Sequence, residues 1–436
     1  MKKGTKKISL IEAIAIAVGT MIGASIFSIF GVGAQLAGKG LPVSFVISGI
    51  LSLMVAYSYS KLGSRIVSNA GPIAFIRHGI GDNIITGTLA ILLWISYVIS
   101  IALFAKGFSG YLLPLCHIKI STISTAISEI TLIAFFTLLN CFGSKAVGKM
   151  EFFIVLIKIS ILMIFIIFGL INIKPSFLQQ SFSPQHLYGI LHASVIFFLS
   201  YMGFGLITNA SENMDNPKKN VPIAIYSSII FVMIIYVCVS FVAVGNLTIS
   251  ELIKAKDNAL AIAAKPFLGN LGFILLSLGA LFSIASALNA TLYGGANVAY
   301  SFAKDGELPK IFERKIWFKS TEGLYITASL GTAFVLFFNI SSIASMTSIV
   351  FTLIYIVVAT AHYKLVDLCG GNKALIIFNI ITLSCVFCIL LYFQYTTNIK
   401  TFWGSILIIT FAFLTEALYR FKQKRTFKKI IIHITK

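Results

Sequence analysis

The sequence predicts an all-α integral membrane protein with twelve transmembrane helices. Of its 436 residues, 58% are hydrophobic and only 11% are charged. Apolar runs long enough to cross a bilayer of roughly 30 Å as helices recur from one end of the chain to the other. A soluble domain could not bury so much apolar surface, so these observations together predict a polytopic membrane protein.

The apolar runs divide into twelve predicted spans joined by short loops. They cover residues 10–36, 41–60, 84–115, 122–142, 151–171, 187–209, 221–244, 267–302, 325–338, 342–362, 374–393 and 402–419. Residues 69–79 begin with turn-forming residues and continue apolar, which predicts a short helix at the membrane interface. Because the loops are brief, we expect a single transmembrane domain over residues 1–436.

The positive charges indicate how the spans are oriented. On the predicted topology, 25 of the 34 Lys and Arg residues lie on the side that holds both termini, seven lie on the other side, and Lys106 and Lys158 lie within spans. Cytoplasmic loops carry an excess of Lys and Arg, so we expect a cell-membrane protein with cytoplasmic termini. The formal charge of +20 is therefore a feature of topology and does not indicate a nucleic-acid partner.

The first span contains a run of small residues at mid-depth. Residues 19–27 read Gly-Thr-Met-Ile-Gly-Ala-Ser-Ile-Phe. One interpretation is helix packing, since Gly19 and Gly23 form a Gly-x-x-x-Gly motif. The other is an unwound segment, because backbone that leaves the helix inside a membrane must bond to protein, water or ligand. Taken alone, this motif favours helix packing.

The sixth span contains a second such run, and the pair favours a binding site. Residues 197–205 read Phe-Phe-Leu-Ser-Tyr-Met-Gly-Phe-Gly. Broken helices in spans one and six suggest two five-span halves of inverted topology, about 10–171 and 187–362, followed by two additional helices at about 374–419. Transporters of that design bind substrate between the halves. The predicted contacts are the N–H groups of Gly23, Ala24 and Ser25 for a carboxylate and the carbonyls around Leu199, Ser200 and Met202 for an ammonium.

Lys158 is the basic residue that we expect deepest in the membrane. It lies nine residues after Lys149 at the edge of span five, or about 14 Å further in at 1.5 Å per residue. A charge at that depth is costly and is usually functional, although snorkelling is the alternative. Burial disfavours the ammonium form, which would let the amine exchange a proton during transport. Glu129 in span four could pair with Lys106 or carry a proton, and the sequence does not choose.

Four motifs in order carry a resemblance to a known family. They are the glycine run at 19–27, Tyr-Met-Gly-Phe at 201–204, Asn-Pro-Lys-Lys-Asn-Val-Pro at 216–222 and Ala-Lys-Asp-Gly-Glu-Leu-Pro at 303–309. Together they resemble the amino acid–polyamine–organocation superfamily of permeases over nearly the whole chain. The likeness is closest to its archaeal proton-coupled amino acid transporters. It implies the leucine-transporter-like fold, with a five-plus-five inverted repeat and discontinuous helices 1 and 6.

The resemblance also implies a role for Lys158. Sodium-coupled relatives bind a cation between spans one, five and eight, and the Lys158 amine matches its place. Its neighbours would then be the Gly19 carbonyl and the Ser283 hydroxyl, with Ser286 one turn further on. The coupling ion would be a proton, and we expect no sodium, metal or other cofactor. Many relatives have a carboxylate where this chain has Gly205, so recognition of cationic substrates by that route is not expected.

These observations predict a proton-coupled symporter that imports amino acids, mainly small or neutral ones, by alternating access. The alternative is an amino acid exchanger of the same fold in which Lys158 is a fixed structural cation. A membrane-embedded sensor would be expected to carry a soluble signalling domain, and the sequence indicates none. An intramembrane enzyme would need a pattern such as His-Glu-x-x-His, which the sequence does not contain, so we expect no enzymatic activity.

Overall fold

The computed structural model describes residues 7–68, 70–141, 147–178, 184–304, 308–316 and 320–423. Both basic termini, Asn69, Lys145, Lys319 and residues 305–307 of the motif at 303–309 lie outside the described residues. Apart from two isolated β-bridges, the described secondary structure is helical.

Nineteen α-helices make up the described part of the chain. In order they are α1 (Leu10–Ser28), α2 (Phe30–Ala37), α3 (Leu41–Gly63), α4 (Pro72–Ile80), α5 (Ile84–Leu115), α6 (Thr122–Cys141), α7 (Val147–Ile171), α8 (Pro175–Leu178), α9 (Pro184–Phe197), α10 (Gly205–Asn209), α11 (Pro217–Asn246), α12 (Ile249–Ala255), α13 (Ala259–Ala263), α14 (Lys265–Lys304), α15 (Glu322–Phe337), α16 (Ile340–Lys364), α17 (Val366–Cys369), α18 (Lys373–Thr397) and α19 (Ile399–Gln423).

The helices account for the twelve predicted spans. Among the described residues, eleven helical segments are long and apolar enough to cross a membrane, and α15 is a shorter apolar helix of 16 residues at the position of span nine. The short helix α4 corresponds to the predicted interfacial segment. The long run of span eight is one helix, α14, with a kink at Gly269, where φ is +61°. The all-helical membrane fold is therefore confirmed.

Both predicted interruptions are present, but the first lies later than expected. Span one is α-helical through Ser28 and breaks at Ile29, where φ is −110° and ψ is 5°, before α2 begins at Phe30. Span six changes from α9 to a 3-10 helix over Phe198–Phe204 and returns to α-helix at Gly205. The expectation that residues 19–27 are unwound is wrong for this conformation, since small residues also let a regular helix pack closely.

The helix α1 lies at the centre of the bundle. It packs against α5, α7, α11, α14 and the 3-10 helix of span six. Its start marks one face of the bundle, because Ile8 bonds to Asn213 and Asp215 just beyond α10. We call this the N-terminal face, and the face where α5 ends and α6 begins the opposite face.

Candidate functional site

The two interrupted spans touch at mid-depth. A Cβ atom added at Gly203 would lie 2.8 Å from the Met21 nitrogen and 3.0 Å from the Ala17 oxygen. Such distances are too short for any residue other than glycine. The 3-10 helix of span six therefore lies directly against the backbone of α1, and Gly203 makes that approach possible.

A cavity begins beside this contact. Its empty volume is about 910 Å³ when the open solvent at its mouth is included. It is bounded by spans one, two, three, six, eight and ten. Its lining includes Thr20, Met21, Tyr59, Tyr97, Ser100, Phe104, Leu199, Ser200, Met202, Gly205, Asn209, Thr291, Phe351 and Tyr355.

The cavity continues toward the N-terminal face. A second space shares Tyr97, Leu206 and Asn209 with it and extends to Asn213 and Phe302. Asn213 bonds to the segment that precedes α1, which fixes the direction of the opening. The cavity is therefore open toward the N-terminal face.

The lining of this cavity is mostly apolar and aromatic. None of the described residues that line either space is Asp, Glu, Lys, Arg or His. An isolated charge in such surroundings is costly, so a net-charged side chain of a ligand would be disfavoured there.

Two polar atoms at the cavity have no hydrogen-bond partner among the described residues. The Ser200 hydroxyl belongs to a residue with 0% exposure, and the second atom is Oδ1 of Asn209. Buried polar atoms are nearly always satisfied, so exceptions beside a cavity point to a missing partner. A ligand with polar groups could supply that partner.

Side chains from four other helices hold the carbonyls of α1. Lys158 of α7, which is 1% exposed, donates to the Gly19 carbonyl. The further donors are Tyr236 of α11 to Met21 (2.5 Å), Ser283 of α14 to Ile22 (2.9 Å) and Tyr111 of α5 to Phe27 (3.0 Å). Specific hydrogen bonds along the C-terminal half of α1 therefore tie this helix, which borders the cavity, to the surrounding bundle.

The structure places the predicted site residues in different surroundings. Leu199, Ser200 and Met202 line the cavity, and the Lys158–Gly19 contact is present. Ser283 bonds to Ile22, as described above, and Ser286 is 7% exposed.

The predicted carboxylate contacts on span one differ from expectation. A Cβ added at Gly23 would lie 2.6 Å from Cβ of Ala287, so Gly23 faces α14 and is absent from the described cavity lining. Its N–H lies inside the continuous helix α1, where such groups bond within the helix. The amides at Gly23, Ala24 and Ser25 are therefore not free in this conformation. The side chains of Ala24 and Ser25 lie outside the described structure.

Sequence reasoning missed the aromatic wall of the cavity. The Tyr59 and Tyr355 rings, which line the cavity, meet edge to face at 5.5 Å, and Phe204, which is not among the lining residues, supports Tyr59 at 5.3 Å. These residues come from spans two, ten and six. A tyrosine in an apolar span was a weak signal, since its hydroxyl needs a polar partner, but it does not distinguish a cavity from an interface.

The two polar residues left undecided by the sequence do meet. Nζ of Lys106 on α5 lies 3.6 Å from Oε2 of Glu129 on α6. The pair lies near the opposite face, away from the cavity mouth. Pairing of Lys106 with Glu129 is thus observed.

Comparisons with known proteins agree with this architecture. The family model described as "Amino acid permease" matches residues 8–367. The chain is 62% identical to an uncharacterized protein of Methanocaldococcus jannaschii over 427 residues, 98% of each chain. It is 31% identical to the inner membrane transport protein YbaT of Escherichia coli over 364 residues, 83% of this chain and 84% of the relative. It is 25% identical to the methylthioribose transporter of Bacillus subtilis, over 96% and 94% of the two chains.

Proposed function

The chain belongs to the amino acid permease family, and on this premise we propose that it is a proton-coupled symporter of neutral amino acids. The family, its multiple spans and the central cavity support amino acid transport across a membrane. Proton coupling, the direction of transport and the preference for neutral substrates are the parts of the proposal that need testing.

One observation carries the proton coupling. The Lys158 amine contacts the Gly19 carbonyl, and the next two residues of α1, Thr20 and Met21, line the cavity. An ammonium donor holds a carbonyl more strongly than a neutral amine does. Loss of its proton would therefore weaken the tie between α7 and α1 beside the place where substrate binds.

The cavity supports a neutral substrate of modest size. Its described lining carries no charge, and the apolar and aromatic walls favour an apolar side chain. The Ser200 hydroxyl is placed to donate to the carboxylate of an amino acid, and the Asn209 amide oxygen is placed to accept from its ammonium. Broad specificity follows if the substrate backbone supplies most of the polar contacts.

The orientation supports import. The positive residues predict that the N-terminal face is cytoplasmic in the cell membrane. Since the cavity opens to that face, this conformation would be the inward-facing one, from which imported substrate is released. A second conformation, open to the opposite face, completes alternating access.

Transport by purified protein in proteoliposomes tests the proposal. Labelled alanine should accumulate only when an inward proton gradient is imposed, and neutral amino acids should compete with it better than arginine or glutamate. Uptake at the same rate with and without the proton gradient would contradict proton coupling. If such uptake also requires amino acid inside the vesicles, the protein is an exchanger in which Lys158 is a fixed cation.

A further inference from the structure

A cluster of three charged side chains lies between the cavity and the opposite face. Lys106 belongs to α5, Glu129 to α6, and Asp257 to a 3-10 turn, Lys256–Asn258, that joins α12 to α13. We call these three residues the outer cluster. None of them borders the cavity, and the proposed transport cycle above does not use them.

The outer cluster is built into the bundle. Glu129 is almost enclosed, with 4% of its side chain exposed, and the Lys106 side chain is 18% exposed. Lys106 and Gly110 are four residues apart and so share one face of α5. A Cβ added at Gly110 would lie 2.5 Å from Cβ of Asp257, which shows how closely the 3-10 turn packs on this face.

The 3-10 turn also packs on span one. It contacts α1, α2 and α5, and a Cβ added at Gly31 of α2 would lie only 2.0 Å from the Lys256 carbonyl oxygen. Lys256 itself has φ of +49°, which is unusual for a residue with a side chain and is maintained by its surroundings. The turn thus closes the bundle beyond the cavity and would have to leave α5 for the opposite face to open.

The charges of the outer cluster do not balance. Among the described residues, the Lys106 ammonium pairs with Glu129 at 3.6 Å and acts on Asp257 at longer range, and the second cation that acts on Asp257 is Lys256 of its own turn, which is exposed. Among the described residues, the Tyr111 hydroxyl of α5 also faces Asp257, the adjoining helix α12 carries the exposed Glu251 and Lys254, and the sequences of α2 and α13 contain no charged residue. Enclosing an uncompensated negative charge is unfavourable, and one added proton would remove it.

A hydroxyl beside Glu129 can serve either protonation state of that carboxyl. Oγ of Ser109 lies within donating distance of Oε1 of Glu129 (3.0 Å) and of the Lys106 carbonyl oxygen (2.9 Å). A hydroxyl has one hydrogen, so it donates to the Glu129 carboxylate or, when it donates to the Lys106 carbonyl, accepts from a protonated Glu129. The site therefore accommodates Glu129 with or without the proton.

Asp257 responds to the same imbalance. Its burial raises the pKa of the carboxyl, while Lys106 and Lys256 oppose the rise. In an open conformation water would reach the turn and relieve that burial. The Asp257 carboxyl then binds its proton more tightly when the opposite face is closed than when it is open. Low pH therefore favours closure of that face, and high pH favours its opening.

We propose that Glu129, which pairs with Lys106, and Asp257, which packs on the same face of α5 at Gly110, form a second proton-binding site that takes up one proton when the opposite face closes. The proton comes from water on that face and returns to it on opening. This inference rests on the proposed alternating access only in requiring that the 3-10 turn and α5 separate. It is independent of the role assigned to Lys158.

Distance measurements between spin labels test this site without transport. In a background with the six native cysteines replaced, labels at Ile118 beyond α5 and Ile253 on α12 report the separation across the opposite face; both side chains are exposed, 48% and 37% respectively. The protein in lipid is measured between about pH 4.5 and about pH 8, a range that includes a raised carboxyl pKa. The population at longer distance should increase with pH.

Variants then assign the response to the cluster. Asp257→Asn and Glu129→Gln are neutral at every pH, so each should lose the pH-dependent shift. Lys106→Met removes the ammonium, so two protons instead of one are needed to neutralise the two carboxylates. Closure of the opposite face should therefore require a lower pH. Glu251→Gln is the matched control, because this carboxylate lies in the same loop with its pKa lowered by hydrogen bonds from Thr248, and the shift should persist.

The following outcomes would overturn the proposal. They are a native protein whose distances do not change with pH, the native shift in both Asp257→Asn and Glu129→Gln, and loss of the shift in Glu251→Gln. His117 is the nearby alternative sensor, so loss of the shift in His117→Gln alone would also reject the cluster. Because Lys158→Ala should retain this shift, failure of the cluster and failure of the Lys158 proposal can be told apart.

Discussion

The amine of Lys158 donates a hydrogen bond to the carbonyl oxygen of Gly19, and this bond joins α7 to the middle of α1. Lys158 is 1% exposed, so the contact is removed from solvent. Because α1 also borders the cavity and the 3-10 helix of span six, a single helix connects this amine to the cavity lining.

Replacing Lys158 by Ala should separate substrate binding from proton-driven accumulation. The variant loses the titratable donor, while the cavity residues stay in place, so neutral amino acids should still bind and exchange. Accumulation driven by a proton gradient should fall by about tenfold or more, a loss of ~1.4 kcal/mol or more in coupling. Lys174→Ala, in the exposed segment just beyond the end of the same span, is the control and should transport normally. Gradient-driven uptake at the native level in Lys158→Ala would remove the proposed role.

The sequence was sufficient for the elements whose signal is local. Span three was predicted at residues 84–115 and forms the helix Ile84–Leu115. The interruption of span six was predicted at 197–205, and the 3-10 helix covers Phe198–Phe204. Apolar length and mid-span glycines are properties of single segments, so they can be read without knowing the neighbours of each helix.

The sequence was insufficient where neighbours decide the outcome. Small residues near Gly23 are compatible with an unwound segment or with a close-packed helix. In the structure Ala287 of α14 packs against Gly23, and α1 is helical there. The walls formed by Tyr59 and Tyr355, and the meeting of Lys106 with Glu129, depend on helices far apart in the chain. No local pattern specifies such contacts.

Removing the Tyr236 hydroxyl should slow transport with little effect on folding. This hydroxyl donates to the Met21 carbonyl at 2.5 Å and lies 3.4 Å from the Ser200 carbonyl, so it bridges both interrupted spans. A typical hydrogen bond contributes roughly 0.5–1.5 kcal/mol, so Tyr236→Phe should reduce initial uptake rates by about two- to twelvefold. Tyr226→Phe removes a hydroxyl from the same helix that instead contacts Ser60, and it should leave uptake unchanged. Equal rates in the two variants would contradict the bridging role.

Arg420 should stabilise the N-terminal face more than its position near the end of the described chain suggests. Its guanidinium bonds to Glu416 at 2.7 Å and to Asp82 at 2.6 Å, and Glu416 is 0% exposed. Removing one partner of a buried ion pair costs up to about 3–5 kcal/mol, so Arg420→Gln should lower the midpoint of thermal unfolding by several degrees.

An exposed ion pair provides the comparison for Arg420. Lys373 lies 3.7 Å from Asp367, and both side chains are largely in solvent, so Lys373→Gln should change stability by only about 0–1 kcal/mol. Both variants are measured by thermal unfolding of the purified protein in the same detergent. Equal unfolding midpoints for Arg420→Gln and Lys373→Gln would show that the Arg420 contacts do not stabilise the fold.

Introducing a carboxylate at Gly205 should convert the cavity to cationic substrates. A Cβ added there meets only one atom within 4 Å, Cε1 of Tyr59 at 4.0 Å, so the cavity has room for a side chain. A buried carboxylate without a cation is unfavourable, and a lysine or arginine substrate would supply the missing charge. Gly205→Glu should therefore shift relative uptake from alanine toward arginine by about tenfold, or ~1.4 kcal/mol, whereas Gly205→Gln fills the same space without charge and should only reduce alanine uptake. If the two variants show the same substrate preference in competition assays, the uncharged lining is not what excludes cationic amino acids.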